Sequence, residues 1–152
     1  MKKFHFSLQK LMDFREQELD RQKNTLSALQ AELKRINDQT EELRLKTAQA
    51  SAELDEVCAR GAQISDIALR KRYIISLQQE IHRMELMAQQ KQQEVSAQLD
   101  VVVEATKDVK TLEKLEEKQR EEYAHKEGKE NELFIEEFVS GQTVRAGQRA
   151  GV

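Results

Sequence analysis

Three histidines and one cysteine are the first candidates for nucleophilic, acid–base or metal chemistry in this 152-residue chain. A metal site needs several ligands at short, fixed spacings. His5, His82 and His125 are instead spread over the whole length, with no second His or Cys at ligand spacing beside them. Cys58 follows Val57, a position that the repeat described below assigns to an apolar seam. It is expected to be a small buried side chain and not a nucleophile. The chain has no glycine-rich phosphate loop and no G-x-S-x-G elbow. The expectation is a protein without catalytic activity, metal or cofactor, whose chemistry is that of association.

The residue type that suits association is phenylalanine, and its distribution is uneven. Phe4, Phe6 and Phe14 lie within "FHFSLQKLMDF" (4–14), and the other two, Phe134 and Phe138, lie within "LFIEEFV" (133–139). Of the two tyrosines, Tyr123 is close to the second group and Tyr73 is mid-chain. A cluster at both ends forms one surface only if the ends meet, so the elements between them decide what these side chains can do.

Composition favours long helices. Charged residues make up 35% and apolar residues 38%, against about 25% and 45–50% in ordinary globular domains. There is no proline, and Gly61 is the sole glycine before Gly128, so the turn-forming clusters of a layered fold are missing. A net charge of −3 and a pI near 5.7 argue against general nucleic-acid binding. One cysteine cannot form an internal disulfide and fits a reducing compartment. Lys2 and Lys3 are not followed by the apolar stretch of a signal peptide, and no window has the roughly 18–20 apolar residues of a membrane span. A cytoplasmic chain is expected, with no direct membrane insertion.

Steps of four and three from Leu8 define a seam. One series is Leu8, Arg15, Gln22, Leu29, Ile36, Leu43, Ala50, Val57 and Ile64; the other is Met12, Leu19, Leu26, Leu33, Thr40, Thr47, Leu54 and Gly61. Twelve of the seventeen are apolar, as in a left-handed coiled coil. A second seam starts out of phase at Ile67. It runs Ile67, Ile74, Ile81, Ala88, Val95, Val102 and Val109, alternating with Arg70, Leu77, Met84, Lys91, Gln98, Ala105 and Leu112.

Between the seams, "RGAQISD" (60–66) offers a glycine to end one helix and Ser65 or Asp66 to cap the next. The competing explanation is a stutter in one straight helix. The expected fold is all-α: a long antiparallel two-helix coiled-coil hairpin over residues 1–140. Helix 1 covers about 4–60, the bend 61–66 and helix 2 about 67–139, with a flexible tail over 141–152. In this register Phe4 faces Tyr123, Arg15 lies near Leu112 and Gln22 near Ala105. Arg15, Gln22, Lys91 and Gln98 interrupt the seams, and such polar positions fix register at a cost in stability. The run Arg70-Lys71-Arg72 is expected on a solvated face.

Charge favours the hairpin. Residues 1–15 carry Lys2, Lys3, Lys10 and Arg15 against Asp13 alone, whereas 113–137 contains ten glutamates and five basic residues. Antiparallel helices set these excesses side by side. Phe6 and Phe14 can then clamp the chain end or contribute to a contact surface. Leu133, Phe134, Ile135, Phe138 and Val139 lie beyond the reach of the first helix and suit helix-in-groove docking, unless they fold back onto Phe4.

The opening "FHFSLQKLMDFREQELDR" resembles the start of the FliJ family of flagellar type III export proteins. Phe6, Leu8, Leu11, Met12 and Arg15 match that family's F-x-L-x-x-[VL]-L-x-x-[RK] run, and Glu18 follows. The segment "ATKDVKTLEKLEEKQREEY" (105–123) is similar too. The resemblance implies a monomeric, non-enzymatic stalk of the export apparatus, cytoplasmic and peripherally associated with the inner membrane at the flagellar base. Its implied partners are the hexameric export ATPase, the cytoplasmic part of the export gate membrane protein, and export chaperones. Phe4, Phe6, Leu8, Leu11, Met12, Arg15, Tyr123, Leu133, Phe134 and Phe138 would contact the ATPase; Tyr73 and Leu77 would contact the gate. An equivalent stalk of a virulence secretion system, or a self-associating coiled-coil scaffold, are the alternative readings.

Overall fold

In a computed structural model of the chain, residues 2–150 are described, with side chains through residue 148. Two helices account for nearly all of it: α1, Gln9–Arg60, and α2, Ile64–Ala150. No strand occurs among the described residues. The expected helical hairpin is therefore present, with its bend where the two seams lose phase.

The bend is shorter than expected, covering residues 61–63. Gly61 has φ 81°, a left-handed conformation that side chains with a Cβ resist. Its amide donates to the Cys58 carbonyl at 3.2 Å, closing α1. The cap of α2 is not Ser65 or Asp66. The Gln63 carbonyl accepts from the amides of Asp66 and Ile67, each at 3.1 Å, so those two residues already lie in the first turn. Asp66 is the acidic residue of that turn, where the helix dipole favours it. Ile64, counted in the first seam, opens α2 and is 86% exposed. Cys58 is also exposed, because one residue past seam Val57 is about 100° around the helix.

Contacts divide the chain into two compact units, Leu19–Ala105 and Met1–Glu18 with Thr106–Val152. In the first unit, Ile36, Thr40 and Ala50 of α1 and Leu77, Met84 and Val95 of α2 are buried, and all six are seam positions. The Thr40 and Thr47 hydroxyls donate to the Ile36 and Leu43 carbonyls, both at 2.8 Å, which satisfies them within their own helix. Cross-helix pairs set the antiparallel direction. Arg44 meets Glu85 at 2.9 Å, Lys91 meets Glu32 at 2.8 Å, and Gln98 donates to the Gln22 side-chain oxygen at 2.7 Å. Gln22 is thus bonded to Gln98, one heptad along α2 from the expected Ala105. Arg70 reaches Glu53 at 3.8 Å and Asp66 at 3.5 Å, so it is not simply a solvated cation.

In the second unit, Phe6, Met12 and Val109 are buried. Residues 2–6 are not helical, and α1 begins at Gln9 instead of near residue 4. Arg15 approaches Asp108 at 3.9 Å, one turn from the expected Leu112. No break occurs at Gly141: the residues expected to form a tail continue α2 to Ala150, while 151 and 152 lie outside the described residues.

Candidate functional site: an aromatic contact surface near the chain termini

The short extended segment before α1 lies against α2 through an aromatic contact. The Phe4 and Tyr123 rings are 5.6 Å apart, edge to face at 66°, and the Arg120 guanidinium sits 4.5 Å from the Phe4 centroid. The Tyr123 hydroxyl donates to the Lys2 carbonyl. Arg120 is held in place by Glu116, at 2.9 Å and 3.2 Å from its Nη2 and Nε. Beside this contact is an open groove of about 380 Å³, whose cationic rim is Lys2, Lys3 and Lys126.

The residues expected at the ATPase contact divide by burial. Phe6, at 3% exposure, and Met12, at 6%, are core side chains that clamp the chain end. Phe4, Leu8 and Tyr123 are half-buried, and Arg15 is exposed with its guanidinium 6.0 Å from the Phe14 ring. Leu11 is exposed, and so is Phe14, at 54%. Phe14, expected in the clamp or on the surface, belongs to the surface. It lies two residues past seam Met12, so helical phase directs it outward.

Leu133, Ile135, Phe138 and Val139 are all more than half exposed, and Phe134 is 70% exposed. These residues do not fold back onto Phe4, whose ring is occupied by Tyr123 and Arg120. In the other unit, Tyr73 is exposed, whereas Leu77 is buried and unavailable to a gate partner.

The electrostatics are those of a coiled-coil exterior. Lys91 bonds both Glu32 and Glu94 at 2.8 Å, which raises its pKa, and the same hydrogen bond holds the Glu32 carboxyl below its ordinary range. Among the described residues no group of three His, Cys, Asp or Glu side chains could hold a metal ion, and no helix is long and apolar enough to cross a membrane.

The family model described as "Flagellar FliJ protein" matches residues 4–148. The chain belongs to the FliJ family. The match runs from the Phe4 contact to the end of the exposed α2 segment, so it includes the whole aromatic surface. Membership connects the protein with flagellar export and protein transport. No curated protein and no solved structure matched the chain.

Proposed function

We propose that this FliJ-family chain is a non-enzymatic coiled-coil stalk of the flagellar type III export apparatus. It binds and regulates the hexameric export ATPase and links it to the export gate and to late-substrate chaperones. It works in the cytoplasm, peripherally associated with the inner membrane.

The observation that carries this reading is the exposed surface around the termini, where Leu11, Phe14, Leu133, Phe134 and Phe138 are uncovered. Exposed aromatic and aliphatic clusters of this size mark interaction sites, and aromatic side chains dominate the energetics of such contacts. Phe4, Leu8, Arg15 and Tyr123 contribute their accessible edges, while Phe6 and Met12 act indirectly by fixing the segment. For the gate, exposed Tyr73 is the candidate, while Leu77 is buried. The stalk regulates the ATPase only if it binds some nucleotide states of the ring better than others.

Addition of the purified chain to the purified ATPase is expected to raise turnover and ring assembly. Replacing Leu133, Phe134 and Phe138 together by Ala should weaken capture of the ATPase more than about tenfold. Unchanged turnover and unchanged oligomerisation in the presence of excess chain would refute the proposal.

A further inference from the structure

Every position of α2 from 124 to 148 is exposed. The helical face that packs on α1 does not continue into this segment. Val109 is buried, and Leu112, Glu116, Gln119 and Tyr123 are partly buried along the heptad positions. Carried onward, that heptad falls on Lys126, Glu130, Leu133, Glu137 and Ser140, which are polar but for one. A second repeat begins one residue later, about 100° around the helix. Its positions are Glu127, Asn131, Phe134, Phe138, Gly141 and Arg145, again in steps of four and three.

This second repeat complements itself. Reversed about Glu136, Phe134 falls on Phe138, Asn131 on Gly141 and Glu127 on Arg145. We propose that two copies of the chain associate through this face, antiparallel about a two-fold axis at Glu136.

The symmetry is that of an isologous contact, in which each pairing occurs twice. Charge selects the direction. Residues 127–137 contain five glutamates and one lysine, whereas 138–148 contains Arg145 and no acidic residue. Antiparallel chains set Arg145 against Glu127, while parallel chains would set like against like. Shape agrees with this. A groove of about 210 Å³ opens at Phe138 and Gly141, walled by Glu137, Gln142 and Arg145, and a side chain at Gly141 would find nothing within 4 Å. The second copy's Phe134 lands beside that opening. With the phenylalanines and the flanking Ile135 covered, the contact buries on the order of 1,000 Å² in total, the low end for a specific interface. A dissociable dimer of folded hairpins follows. The inference does not depend on ATPase binding, although both uses would compete for the same phenylalanines.

The test is sedimentation equilibrium of the full chain, in reductant so that exposed Cys58 cannot crosslink. The mass is expected to rise from 17.7 kDa towards twice that value, with half-association at roughly tens to hundreds of micromolar. Phe134→Glu with Phe138→Glu should move the midpoint more than about tenfold higher at unchanged helicity. Arg145→Glu should weaken association, and adding Glu127→Arg should restore it. The mass of one chain at every concentration up to about 1 mM, or association indifferent to both phenylalanine changes, would overturn the proposal. If the double charge swap restores nothing, the antiparallel register is wrong.

Discussion

Lys91 and Gln98 stand where the heptad calls for apolar side chains, and both are tied across the hairpin. Lys91 bonds Glu32, and Gln98 bonds both the side-chain oxygen of Gln22 and its carbonyl, at 2.7 and 3.1 Å. The Glu32 pKa is lowered in the folded chain, so its contribution is complete above the ordinary carboxylate range and lost as pH falls through the lowered value. The Lys91 pKa is raised, so its contribution is complete below the ordinary lysine range and lost as pH rises through the raised value. Lys91→Leu should therefore flatten the acid-side decline in melting temperature while raising the melting temperature at neutral pH. An unaltered acid slope would remove the pair from the account. Gln98→Ala should cost about 1 kcal/mol in urea unfolding, the usual value of a cross-helix hydrogen bond.

At the scale of elements, the turn at 61–63 and the non-helical segment at 2–6 carry the distinctive chemistry. Gly61 is needed for its backbone, since a Cβ there would meet no neighbour. Gly61→Ala should cost about 1 kcal/mol through the left-handed φ alone, read as a lower urea midpoint with unchanged slope. Phe6 joins the segment to the hairpin by burial. Phe6→Ala should cost up to about 3 kcal/mol and expose the amides of residues 2–8 to faster hydrogen exchange. Normal protection in that variant would show that Phe4 and Tyr123 hold the segment unaided.

For the whole molecule, the central question is whether the heptads pair within one chain or between chains. The contacts of Phe4 with Tyr123 and of Arg15 with Asp108 are intramolecular. Spin labels at Lys10 and Glu117 should therefore lie within roughly 20 Å of one another, given the usual 8–10 Å between packed helix axes. That distance should not change on dilution. A separation that grows on dilution would mean an intermolecular bundle and would return the scaffold reading.

Much of this was legible without coordinates. The two out-of-phase seams and the glycine between them determine two helices and a bend, because helical periodicity is a local property of the chain. Among the described residues, eight of the nine buried ones are seam positions for that reason; the exception is Phe6. Register was less legible. Slipping one helix by a heptad leaves the apolar pattern intact, and the register is distinguished by cross-helix contacts such as Gln22 with Gln98, Glu32 with Lys91 and Arg15 with Asp108. Exposure at the termini was only partly legible: the seam phase turns Phe14 outward, whereas Phe6 precedes α1 and has no helical phase, so its contacts alone decide that it is buried. The uncovered stretch beyond Tyr123 is likewise a tertiary outcome: how far one helix outruns its partner depends on where the chain turns and where α1 begins, and no local window contains both.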